Sequence, residues 1–127
     1  MSNVRTAAIA LTATAAALLT AMPAHADESG ISNGISIVAT GKGGYVRNVT
    51  AGVSTVSTYL SFHGYFRVFG PDYSSVSPTQ KWAVGIIYSA AIYKDYADGQ
   101  KHCVEGWEKQ DDGTFALLGR PCVENPI

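Results

Sequence analysis

Charge, histidine and cysteine are all scarce in this chain, and each shortage closes off a class of chemistry. Charged residues make up 15% of the 127, and the cations are scattered singly along the sequence. With no basic stripe to neutralise phosphates, the charge pattern argues against a nucleic-acid partner. Beyond residue 26 the only imidazoles are His63 and His102. No G-x-S-x-G elbow accompanies either one, so the nucleophile–base–orienter arrangement of acyl transfer is missing. The two cysteines lack C-x-x-C spacing, and His102 with Glu105 makes an incomplete zinc set. Asp95, Asp98 and His102 lack calcium-loop spacing. Ala39 to Gly44 is glycine-rich but has neither the phosphate-loop spacing nor a following helix. Paired carboxylates for glycoside hydrolysis would need a deeper cleft than so small a domain builds. No cofactor, metal or catalytic residue is therefore expected.

What is present begins with an export signal over residues 1–26. Arg5 supplies a positive start, Ala7 to Met22 is an almost uncharged Ala/Leu/Thr run, and Ala24-His25-Ala26 follows Pro23 as a processing site. Cleavage before Asp27 predicts a mature, released domain at 27–127. After the signal, no apolar stretch is long enough to span a bilayer. Nine Lys/Arg, one of them Arg5, against ten Asp/Glu leave the mature part mildly acidic. Two cysteines exported to an oxidising compartment predict a Cys103–Cys122 disulfide. Asn48-Val49-Thr50 is a formal glycosylation sequon.

Val, Ile, Thr, Ser, Tyr and Gly dominate the mature part with hardly any helical period, so the expected class is all-β. Asp27 to Asn33 reads as a flexible leader, Gly34 to Thr40 as a strand and Gly41 to Gly44 as a turn. A second strand runs from Tyr45 to Thr50 and breaks at Ala51-Gly52. Within Val53 to Phe69, Leu60, Phe62, Phe66 and Val68 share one side; Tyr59, Ser61, His63, Tyr65 and Arg67 share the other. Gly64 marks a bulge or bend. Gly70-Pro71-Asp72 opens a polar loop to Pro78, and Trp82 to Tyr93 resumes β character.

Asp98-Gly99 and Asp112-Gly113 are two-residue hairpin signals. With Asp112-Gly113 at a tip, Cys103 faces Cys122, Glu105 faces Arg120 and Trp107 faces Leu118. Parity then puts the cysteines at a hydrogen-bonded pair, the wider spacing, unless a bulge near Asp111 intervenes. With Asp98-Gly99 at another tip, Ala90 faces Trp107, Ile92 faces Glu105, Tyr93 faces Val104, and Asp95 lies across from His102. The other side of this meander carries Ala91, Gly106 and Gly119 in a row, a trough for a second-sheet aromatic such as Trp82 or Phe66, or for a partner. The domain is expected to be an antiparallel sandwich of about seven strands with a stapled last hairpin.

Seven tyrosines with Trp82 and Trp107 are many for this length. Tyr59, Tyr65, Tyr73, Tyr93 and Tyr96 fall in phases or loops that suit contact with a protein or a sugar, or closure of the sandwich rims. The tail, Cys103-Val104-Glu105-Gly106-Trp107 with Leu117-Leu118-Gly119-Arg120-Pro121-Cys122, resembles the ending of small secreted actinobacterial β-proteins. Among these, the chain is similar to the adaptor subunits of umbrella toxin particles, in size, export signal, β character and leading N-terminal segment. The resemblance implies a secreted antibacterial assembly and strand donation to a neighbour, and it transfers no individual functional residue. Independently, residues 31–40, with Ile35 and Ile37, form a β-capable segment before a glycine-rich hinge. Such a segment joins its own sheet by default or completes another protein's edge.

The organisation expected is thus a signal (1–26), a flexible leader and donor-strand candidate (27–40) and a sandwich domain (41–127). The expected function is a secreted, non-enzymatic binding module, an adaptor or subunit of an extracellular assembly. The alternatives are an inhibitor inserting the stiff Pro71–Pro78 loop into a hydrolase, and a cell-wall or carbohydrate-binding module with an aromatic platform.

Overall fold

The computed structural model describes residues 27–55 and 60–127. The expected export signal (1–26) and Tyr59 lie outside the described residues. No helix occurs among the described residues, and ten strands form two antiparallel sheets. The first sheet has the order β1 (Asp27–Ser32), β2 (Ile35–Lys42), β3 (Tyr45–Val53) and β7 (Tyr88–Asp95). The second is centred on β4 (Phe62–Gly70) and β8 (Lys101–Lys109), which pair with each other. Outside β4 run β5 (Tyr73–Val76) and β6 (Gln80–Trp82); outside β8 run β9 (Phe115–Gly119) and β10 (Cys122–Glu124). Several of the ten are short edge segments, which is why the count exceeds seven.

Alternation places the core. Ile35, Ile37 and Ala39 of β2 face Phe66 and Val68 of β4 and Val104 of β8, all fully buried. Both Val46 and Val49 turn inward because a bulge at Arg47 reverses the side-chain parity of β3. Phe66 packs edge-on against Phe62 and Trp82, and the Trp82 indole N–H donates to the Gly64 carbonyl at 2.9 Å.

Several sequence expectations need correction. The leader Asp27–Asn33 is strand β1, paired along six residues with β2 through a tight turn in which Asn33 and Gly34 both have positive φ. Residues 31–40 therefore pair within their own sheet, with β2 flanked on both sides. β3 runs through Ala51-Gly52 to Val53, because β2 pairs with it as far as Val53 and β7 as far as Ala51. Half of the Pro71–Pro78 loop is strand: a tight turn at Pro71-Asp72 returns β5 along β4.

Asp98-Gly99 does form a turn, but its flanking strands part company. β7 pairs with β3 in the first sheet, whereas β8 pairs with β4 in the second. The physical reason is Tyr96, whose buried ring turns the chain into the core. The carboxamide of Asn125 fixes this corner by donating to the Tyr96 and Gly44 carbonyls, each at 3.0 Å. Ala90, Ile92 and Tyr93 consequently do not face Trp107, Glu105 and Val104, and Asp95 pairs with Tyr45 rather than His102.

The last hairpin keeps its staple through two irregularities that cancel. Its tip is a three-residue loop, Asp111 to Gly113, closed by Gln110 N–H to the Thr114 carbonyl at 2.7 Å. That loop sets Trp107 opposite Leu117, not Leu118. A register shift between Gly106 and Trp107 then restores Gly106 to Gly119 and Cys103 to Cys122. Val104 N–H donates to the Pro121 carbonyl, so the cysteines sit at a non-hydrogen-bonded pair with Cα atoms 4.1 Å apart. The disulfide is formed. Gly106 and Gly119 do make a trough, without Ala91, and Ile35 of the opposite sheet fills it.

Candidate functional site

The polar groups gathered most closely lie at one end of the sandwich, around His102. Its ring is fully buried. Because the Asn125 amide donates to two carbonyls, its oxygen must accept, so His102 Nε2–H is the donor across 2.9 Å. His102 Nδ1 therefore accepts from the Tyr73 hydroxyl at 2.6 Å. Beside them the Tyr96 hydroxyl donates to Asp72 at 2.7 Å, and Lys94 pairs with the same carboxylate. Burial pushes the His102 imidazole below its ordinary value, only partly opposed by Asn125 and by the negative charge of Asp72. Burial likewise raises the phenols of Tyr73 and Tyr96, so both remain donors. The Lys94 and Tyr96 bonds hold the Asp72 carboxyl below the usual range. Both ring nitrogens have partners within the fold, so this cluster ties β5, β8 and the segment after β10 together.

A second arrangement faces outward. On the outer side of the six-stranded sheet, β4 presents His63, Tyr65, Arg67 and Phe69; β8 presents Cys103, Glu105 and Trp107. The cross-strand pairs are Tyr65 with Trp107 and Arg67 with Glu105. Tyr65 and Trp107 stack with planes 16° apart, and Phe115 meets Tyr65 edge-on at 4.9 Å. Arg67 lies over the Phe69 ring at 4.1 Å.

In the middle sits Glu105, its side chain 4% exposed. One carboxylate oxygen accepts from Arg67 at 3.3 Å and from the Trp107 indole at 3.1 Å; the other accepts from Arg120 at 2.7 Å. Burial alone would raise this carboxyl, but the bonds from Trp107, Arg120 and Arg67 outweigh it and hold the group below the ordinary range. The flanks are apolar: Val76 on β5 is 57% exposed and Leu117 on β9 is 40% exposed.

Shallow clefts also occur on the described surface, two of them beside β1. One, of about 310 Å³, lies between β1 and β10 and is lined by Glu28, Lys101 and Glu124 among others. The other, of about 250 Å³, lies over β1 and β2 beside Val53 to Thr55. Among the described residues no group of three His, Cys, Asp or Glu is placed to hold a metal ion, and no helix is long and apolar enough to cross a membrane.

The candidate contact residues are thus dispersed. Ile35 and Ile37 are core, with no surface to offer a partner in this fold. Tyr96 is also buried, and Tyr73 is half-buried with its hydroxyl on His102, because both close the end of the sandwich. Tyr93 is 63% exposed at a kink in the edge strand β7. Of the candidates among the described residues, only Tyr65 belongs to the outer aromatic face. The sequence reading missed Arg67, Phe115 and the full role of Trp107, because β4 and β8 meet with no turn between them to set the register. The Glu105–Arg120 pair, set by a local turn, was legible. Comparison of the chain with protein-family models, with curated proteins and with solved structures gives no match.

Proposed function

We propose that this chain is an exported, non-catalytic protein-binding module, an adaptor or subunit of an extracellular assembly, docking its partner on the outer face of the six-stranded sheet. The observation that carries this reading is the composition and rigidity of that face. Tyr, Trp and Arg dominate binding hot spots when they are held in place and surrounded by contacts that exclude water. Here Tyr65, Trp107 and Phe115 pack against one another, Arg67 and Arg120 are tethered to Glu105, and Val76 and Leu117 flank them as exposed apolar contacts. The disulfide at Cys103–Cys122 borders the same face and suits an oxidising compartment.

The test uses Val76→Asp and Leu117→Asp, chosen because both side chains are exposed and neither change disturbs the core. Tagged wild-type and variant proteins are recovered from the medium of the producing cells and examined by native mass spectrometry. The wild type should carry a stoichiometric protein partner that both variants lose while keeping the wild-type melting temperature. A wild type with no partner, or variants that keep it, would refute the reading.

A further inference from the structure

On the surface proposed above, we infer that Arg67 and Arg120 form a recognition site for a carboxylate, so that the docked partner presents an Asp or Glu flanked by apolar residues. The inference rests on the docking reading and adds the partner's chemistry to it.

Three observations carry it. First, the pairing of strands arranges the face in rows. Arg67, Glu105 and Arg120 form a polar row across β4, β8 and the β9–β10 link, with the apolar Val76 at its β5 end. Tyr65, Trp107 and Leu117 lie to one side of it; Phe69 and the disulfide lie to the other. A charged pair framed by apolar rows matches the anatomy of an interface centre.

Second, Glu105 serves as a pedestal rather than a ligand. Its oxygens are saturated by Arg67, Trp107 and Arg120, and it is almost wholly buried. The arginines above it are 38% and 50% exposed. Arg67 uses Nε on Ser74 and Nη1 on Glu105; Arg120 uses Nε and Nη2 on Glu105. Among the described residues, Nη2 of Arg67 and Nη1 of Arg120 meet no acceptor. Two guanidiniums spanning one carboxylate leave a surplus positive charge with donors pre-oriented by the pedestal, and a planar carboxylate is the group that fits such forks.

Third, the charge is local. Strand phase puts Arg67, Lys81, Lys101, Lys109 and Arg120 on this face against the carboxylates Glu105 and Glu124, although the whole chain carries a net −1. The face is therefore basic on a mildly acidic molecule, and its complement is acidic.

Random dodecapeptides displayed on phage, selected against the oxidised domain, are the probe. Enriched sequences should carry Asp or Glu beside aliphatic or aromatic residues. In synthetic versions, exchanging that residue for Asn or Gln should weaken binding about tenfold or more. Arg67→Lys and Arg120→Lys keep the charge on Glu105 but lose the fork, and should abolish most of that discrimination. The Nη–H resonances of both arginines should shift on titration with the acidic peptide and stay still with its amide. Selection of sequences without acidic residues would overturn the inference. Binding of polygalacturonate at the same arginines, or self-association of the domain by ultracentrifugation, would overturn it in favour of an acidic polysaccharide or a second copy. If the native partner needs Val76 and Leu117 but tolerates both lysine variants, the carboxylate site is wrong and the docking face stands. If it tolerates all four changes, both readings fall.

Discussion

His102 and Glu105 both bury ionisable groups, and they do so by opposite means. His102 is kept neutral, with each nitrogen assigned a definite role by Asn125 and Tyr73. Glu105 is kept charged by the donors around it. The groups facing His102 are Tyr73 of β5, Tyr96 beyond β7 and Asn125 beyond β10, with the Asp72 charge acting from the β4–β5 turn. Its folded pKa lies below the unfolded value near 6.5, so between the two values the unfolded chain binds more protons. The stabilisation from His102 is full above about pH 6.5 and is lost as the pH falls from there through the folded pKa. Urea midpoints measured from pH 8 to pH 5 should therefore drop on acidification. His102→Gln should flatten that slope and cost about 1–3 kcal/mol at neutral pH by leaving buried partners unsatisfied. A His102→Gln variant that keeps the wild-type slope would show that another group controls it.

At the scale of elements, close approach between strands and sheets explains which glycines are replaceable. A Cβ at Gly64 would stand 1.8 Å from the Trp107 carbonyl oxygen, a backbone atom of the paired strand. One at Gly106 would meet the end of the Ile35 side chain at 2.6 Å. Side-chain tips yield and ladders do not, so Gly64→Ala should destabilise more than Gly106→Ala, whose cost should be about 1–3 kcal/mol. Equilibrium denaturation of the two variants decides the order. Joining Gly106→Ala with Ile35→Val should recover part of the loss. The Cys103–Cys122 link should contribute about 3 kcal/mol through the unfolded chain. The double Cys→Ala variant should still fold, since β8 retains its pairing with β4. Loss of native circular dichroism in that variant at 25 °C would give the link a larger role.

The same scale shows what a sequence reveals about such a fold. The Asp112-Gly113 turn located the disulfide and the Glu105–Arg120 pair, because the extra loop residue and the register shift beside Gly106 offset each other and leave the expected pairing beyond them. Asp98-Gly99 carries an equal local signal, yet Tyr96 and Asn125 turn it into a crossing between sheets, and Asn125 lies far along the chain. The alternation in Phe62 to Val68 separated the core from the outer face correctly. What it could not show was β8 lying beside that strand, and the arginine–glutamate–arginine row depends on that neighbour.

For the molecule as a whole, the N-terminal hairpin bears on how its partners should be sought. Deleting residues 27–40 would remove Ile35, Ile37 and Ala39 from the core, so any lost interaction would reflect unfolding. Removing only Asp27 to Asn33 strips β1 from β2 and leaves the sandwich core in place. That shorter form should keep its β-type circular dichroism. It should also self-associate with rising concentration in the ultracentrifuge, because the β2 edge it uncovers is regular. A monomer of unchanged stability would mean that β1 protects nothing.

The opposite border of the same sheet behaves differently. In β7, Ile92 and Tyr93 together oppose Arg47, and Tyr93 adopts φ 49° to make room. That kink breaks the straight row of amides and carbonyls an incoming chain would need to zip along. Addition of a further strand is therefore hindered at the β7 border by backbone shape, while at the other border β1 sets which edge an incoming chain would meet.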